Sequence, residues 1–369
     1  MLDIRKNLSN AIGWRTKRKI VVIESDDWGS VRTKSKADYD AMISRGLEIN
    51  RSNFTQFDAL ESNNDLVNLF ETLSRHHDAS GRSAVFTPMC IVANPDFEKI
   101  KDSGFENYYY EPFYETCKKY PEHNKVHELW LSGINERLFV PQLHGREHLN
   151  VSKWMKILQS NNEGLRIAFN HQSIGASWFN GNPLPEYLAA FDPETETDIL
   201  PFIKIIETAA SLFRTICGYK ARHFIASNSP EPKSLEEVLK LAGVDYLTRY
   251  KFQKYPLGNG RFSHEFNWLG RRNSQNHVIL TRNCSFEPSD PSGKDYVNDC
   301  MLEIENAFKW HKPAIISSHR VNFVGFINPD NAADGLRKLD SLLTTILKKW
   351  PDVEFMTSVE LGDLISENK

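Results

Sequence analysis

The chain has 369 residues, 40% of them hydrophobic and 25% charged, with a formal net charge of −3 at pH 7. These fractions suit a soluble globular protein and exclude a disordered or fibrous one, and the slight acidity gives no broad attraction for nucleic acid or anionic lipid. No apolar run approaches the roughly 20 residues that span a bilayer, and the first residues lack the apolar core of a signal peptide, so no transmembrane segment and a cytoplasmic location are expected.

In chain order, a basic cluster of Arg15, Lys17, Arg18 and Lys19 reads as a solvated entry to the first buried strand, Ile20-Val21-Val22-Ile23. A helical pattern over 66–73 precedes a strand at 84–86, and strands follow at 138–143 and 165–169. Helices over 203–216 and 235–241 precede strands at 223–226 and 244–247, and 278–281 and 314–316 continue the alternation. Leu336, Leu339, Leu342, Leu343, Ile346 and Leu347 fall at helical spacing. A last strand at 353–357 leads to a helix capped by Ser358, with Glu360 in its first turn.

Strands alternating with helices predict a mostly parallel sheet with helices outside it. Such barrels commonly run past about 250 residues as one unit, and no linker rich in Pro, Gly or Ser splits this chain. The expected architecture is a single domain over 1–369, a deformed (β/α) barrel of seven or eight mostly parallel strands with outer helices. Aromatic-rich insertions near 105–137, 171–198 and 251–276 are placed to shape a binding site, and their flat rings suit sugar faces. Cys90, Cys117, Cys217, Cys284 and Cys300 include no Cys-x-x-Cys pair, as expected of reduced thiols that are neither disulfides nor metal ligands.

Asp26 and Asp27 end the first strand. Like charges this close raise each other's pKa, so a cation or a chemical task is needed to explain the pair. His144-Gly145-Arg146-Glu147-His148 follows the run at 138–143, and His319 follows the run at 314–318. If a helix begins at 144, its two histidines project from one face toward one ion, with Asp27 supplying a carboxylate from a neighbouring strand end. Two imidazoles and one carboxylate leave positions open on a catalytic zinc, and ferrous iron accepts the same set. No cosubstrate site of an oxygenase is visible, which favours hydrolysis, and His319 is free to protonate a leaving group. His76 and His77 read as a helix-end cap, and His171 and His223 as hydrogen-bonded structural residues or as partners that support the metal ligands without binding the ion.

Glu24-Ser25-Asp26-Asp27-Trp28-Gly29 approximates a strand ending in Thr-Phe-Asp-Asp-Gly, His144 and His148 match His-Ser/Thr-x-x-His, and Ile316-Ser317-Ser318-His319 approximates Leu-x-His. Through these motifs and the closing 355–361, most of the chain resembles the polysaccharide deacetylase family with its NodB homology domain. The resemblance implies a hydrolase that removes N- or O-acetyl groups from an acetylated saccharide. It assigns Asp26 as general base, His319 as general acid, and Asp27, His144 and His148 as ligands of a divalent metal, zinc or another transition ion. The family's Arg-x-Pro-x-Gly motif, whose arginine orients the base, has no clean counterpart in 221–228, leaving Arg222, Arg282 and Arg146 as replacements. Trp28, Arg146, Arg222 and Asn228 are candidate substrate-binding residues. Two competing readings are a glycoside hydrolase using Asp26 with a second carboxylate such as Glu147, and a glycan-binding protein without turnover.

Overall fold

The computed structural model describes residues 10–367. Among them nine strands form one sheet: β1 (Lys19–Trp28), β2 (Phe86–Ile91), β3 (Gln142–Gly145), β4 (His223–Phe224), β5 (Tyr246–Thr248), β6 (Val278–Leu280), β7 (Cys284–Ser285), β8 (Ala314–His319) and β9 (Val353–Phe355). Eight follow the order β6-β5-β4-β3-β2-β1-β8-β7, β9 pairs with the start of β1, and every pairing is parallel. The edge strands β6 and β7 are joined by residues 281–283 alone, a link that spans at most roughly 14 Å. The sheet therefore curls until its edges meet along a short seam, giving a deformed (β/α) barrel.

Strands buried on both faces read as unbroken apolar runs, and β1 shows why. Val21 and Ile23 face the helix layer, joining Leu69, Phe213, Leu239, Ile304 and Leu339 in the largest core cluster. Ile20 and Val22 face the lumen, where they meet Val278, Ile315 and Leu361 of the closing helix Ser358–Glu367. Because side chains alternate along a strand, the next lumen positions are Glu24 and Asp26. The barrel is thus apolar and plugged at one end and charged at the other.

The helices expected around 66–73, 203–216, 235–241 and 336–347 are present as Asn63–Ser74, Ile199–Cys217, Leu235–Ala242 and Pro329–Lys349. Ser62 and Asp65 form a capping box on the first of these, and Asn328 caps the last. The strand expected at 165–169 is instead part of the helix Glu163–Asn170, capped by Asn162 and burying Leu165, Ala168 and Phe169 at helical spacing. The strand expected from 138 pairs as a ladder only from Gln142, with Phe139 making an isolated bridge to Phe86. The three insertions contribute antiparallel ribbons, Ala93–Pro95 with Tyr110–Pro112, Trp178–Phe179 with Asn182–Pro183, and Phe252–Pro256 with Phe262–Phe266. All five cysteines are free and buried, and no helix among the described residues is long and apolar enough to cross a membrane.

Candidate metal centre and active site

Parallel register brings the chemistry together at the carboxyl ends of the strands. Asp26 of β1 lies opposite His319 of β8, β3 delivers His144, and the seam between β6 and β7 delivers Arg282. These side chains line a cavity of about 930 Å³, together with Asp27, His148, Asn228, Phe54, Tyr250 and Phe252.

Asp27 Oδ1 lies 3.0 Å from His148 Nε2 and 3.4 Å from His144 Nε2. The ligand atoms of the three residues all fall within 4.8 Å of one another, and all three residues are buried. The histidines do not share a helix face, as the four-residue spacing suggested. His144 sits in β3, and Gly145, at a φ of +153°, opens the irregular turn that brings His148 back beside it.

The tautomer of His144 follows from its surroundings. Its Nδ1 is 2.9 Å from the Ile225 carbonyl, which can only accept, so Nδ1 carries a proton, and in the neutral ring Nε2 is the nitrogen left with a lone pair. That nitrogen faces Asp27 Oδ1, a buried oxygen whose near neighbours are the two imidazoles and which lacks a well-aligned donor among the described residues. In that form two acceptors face each other, an arrangement that a shared cation would relieve. Burial and the nearby Arg32 charge push His148 down to about 4, so its imidazole is neutral at pH 7. Burial opposes the Asp27 charge as well, but His148 and Arg32 hold this carboxyl well below the usual range. The buried group of one carboxylate and two imidazoles can therefore hold a metal ion, and its donors suit a divalent transition metal.

Asp26 is held differently. Arg282 Nη1 and Nη2 donate to its two carboxylate oxygens at 2.7 and 2.6 Å, while Arg282 Nε donates to Glu24 at 2.6 Å. Burial raises both carboxyls, yet the guanidinium outweighs it and keeps each below its ordinary value. Of the three arginines considered for orienting Asp26, only Arg282 touches it. Arg222, at the opposite end of β4, binds Asp245, Asp363 and the Tyr246 hydroxyl. Arg146 binds Glu147 at 2.6 Å and stacks 4.1 Å from the Tyr110 ring centre. Neither Arg222 nor Arg146 lines the cavity.

His319 Nδ1 lies 2.7 Å from Glu287 Oε1 and its Nε2 lies 3.7 Å from Asp26 Oδ2. Burial would lower its pKa, but Glu287 and the two aspartates raise it to about 9, so the ring is a proton donor at neutral pH. Asn322 Nδ2 donates to Glu287 Oε2 at 2.8 Å and to the His319 carbonyl at 3.0 Å, fixing this pair. Sequence reasoning missed Glu287 and Glu24. Glu24 continues the lumen-facing alternation of β1 and was within reach of it, whereas Glu287 lies in a loop with no motif to mark it.

Other candidates are placed apart. Trp28 is fully buried in the barrel wall, donating to Ser25 Oγ at 3.0 Å and meeting Phe139 edge-on, so it does not reach the cavity. Asn228 does line the cavity, at a φ of +53°. Glu147 is buried against Arg146 away from the cavity and does not flank Asp26. His76 bonds Thr72 and Thr344, His171 binds Asp38, and His223 bonds Thr248 beneath the site.

No protein-family model matches the chain, and no curated protein matches its sequence. Similar solved structures include a probable polysaccharide deacetylase from Pseudomonas aeruginosa PAO1, 9% identical, with 96% of this chain and 92% of that chain covered and a TM-score of 0.48. An allantoinase is 9% identical, with 96% and 93% covered and a TM-score of 0.47. The 4-alpha-glucanotransferase from Thermococcus litoralis is 9% identical at a TM-score of 0.46; 95% of this chain aligns to it but spans only 40% of its length. These likenesses transfer no chemistry to this chain.

Proposed function

We propose that the protein is a metal-dependent carbohydrate deacetylase, removing N- or O-acetyl groups from a saccharide, with zinc or another divalent transition ion held by Asp27, His144 and His148. The observation that carries this reading is the difference in partners between adjacent aspartates. Asp27 turns an unsatisfied oxygen to two imidazoles, while Asp26 is clamped by Arg282 and stands 3.7 Å from His319. When bound, the metal supplies a charge that acidifies water and polarises a carbonyl. Asp26 accepts the proton of the attacking water, and Arg282 fixes the direction of its lone pairs. His319, charged through Glu287, returns a proton to the departing sugar amine or hydroxyl, so that acetate and the deacetylated saccharide leave. Phe54, Tyr250 and Phe252 on the cavity wall suit sugar faces.

The glycosidase reading needs two carboxylates free to flank one bond, roughly 5–9.5 Å apart. Asp27 is committed to imidazoles, Glu24 is sealed against Arg282, Glu303 on the cavity wall accepts from the Ser285 N–H at 2.8 Å, and Glu147 lies off the cavity. A glycan-binding reading without turnover would suit a site that lacked an arginine beside Asp26, whereas Arg282 donates to both of its carboxylate oxygens. Acetate release from N-acetylated and O-acetylated saccharides tests the proposal. It should be abolished by a chelator and restored by zinc; release that ignores the chelator, or glycosidic cleavage in its place, refutes it.

A further inference from the structure

Asp27 has a φ of +78°, in the left-handed region that a residue with a Cβ enters at a cost, and Gly29 follows at +83°. Buried charged side chains of alternating sign form a ring around this turn. Asp27 Oδ2 accepts from Arg32 Nη2 at 3.2 Å, and Arg32 Nε faces Asp58 Oδ2 at 3.4 Å. Asp58 accepts from Arg320 Nε and Nη2, both at 3.0 Å, and Arg320 Nη1 donates to Glu61 Oε2 at 2.9 Å. The Glu61 carboxylate then accepts from the Gly29 N–H at 3.1 and 3.2 Å. The path leaves the chain at the Asp27 side chain and returns to its backbone two residues later.

All five side chains are buried, Glu61 and Arg320 completely. Stability is a poor reason for such an arrangement, because well-packed apolar residues often serve as well or better than buried ion pairs. What the ring accomplishes is geometric. It occupies Oδ2 of Asp27, pins the backbone at a strained turn, and leaves Oδ1 alone facing His144 and His148.

We propose that Arg32, Asp58, Arg320 and Glu61 are positioning residues of the metal centre, holding Asp27 so that a single carboxylate oxygen is offered and the ion keeps open positions. The proposal rests on the metal reading above. It places Glu61, whose bonds among the described residues go to Arg320 and the Gly29 N–H, in control of an ion that it does not touch.

The test is zinc affinity of the full chain, measured by competition with a chromophoric chelator. It compares wild type, Arg32→Gln, Asp58→Asn and Glu61→Gln with Leu342→Ala, a core truncation outside the ring. Each ring variant should bind zinc about 10- to 100-fold more weakly, as supporting partners of metal ligands do. Leu342→Ala should lower the thermal midpoint yet keep its zinc affinity within about twofold, as an independent site does. Asp58→Asn and Glu61→Gln preserve shape and carry the test if Arg32→Gln does not fold. Ring variants with native affinity overturn the proposal, as does equal weakening in Leu342→Ala. Failure of every ring variant to fold also counts against it, marking the ring as a fold staple. A wild type that binds no zinc instead refutes the metal reading.

Discussion

Burial alone would push Asp26 and Asp27 toward their neutral forms, and proximity would prevent both from ionising. Separate cationic partners resolve the conflict, Arg282 on one carboxylate and Arg32 on the other. The same logic in reverse makes His319 an acid. Its pKa, raised by Glu287 to about 9, means that the protonated ring is present below that pH and lost above it. Activity should therefore decline as pH rises through about 9. Glu287→Gln keeps a partner for Asn322 but removes the charge, and should move this alkaline limb down by about 1–3 pH units. A pH–rate profile of kcat checks this, and an unmoved limb excludes Glu287 as the cause. The linked stability has the same sign: His319 contributes it fully below its ordinary pKa of about 6.5, and it is lost as pH rises through about 9.

At the scale of elements, the acid depends on a close approach between the helix Pro329–Lys349 and the turn after β8. A Cβ on Gly335 would overlap the Asn322 carbonyl oxygen, and Asn322 is the residue that holds Glu287. Gly335→Ala should destabilise the fold by about 1–3 kcal/mol, the usual range for overpacking. Denaturant unfolding measures it, and an unchanged midpoint means the helix sits further out than described. That helix was legible because its leucine stripe extends over several turns. The run at 165–169 was misread because five apolar-rich residues fit a strand as well as a helix, and only Asn162 capping Leu165 separates the two. His144 and His148 come together through the turn at Gly145 and not through the helix on which their spacing would have aligned them, because spacing alone does not reveal that turn.

For the whole molecule, closure of the sheet is what completes the site. β1 and β8 are direct neighbours, so Asp26 beside His319 follows from one parallel pairing. Arg282 reaches Asp26 because β6 and β7, the two sheet edges, meet where residues 281–283 cross between them. That juxtaposition has no local sequence signature, which is why Arg282 stood level with Arg222 and Arg146 until the barrel was closed. The motif residues at strand ends were visible as chemistry-bearing side chains; the ring from Arg32 to Glu61 was not, because Arg32 follows β1, Asp58 and Glu61 share the loop before the helix Asn63–Ser74, and Arg320 comes from the short turn after β8, so only the fold unites them. The most direct test of this account is the zinc content of wild type, Asp27→Ala and Asp26→Asn after zinc loading and desalting. About one equivalent per chain is predicted in wild type and Asp26→Asn and none in Asp27→Ala, whereas zinc retained by Asp27→Ala at the wild-type level would contradict it.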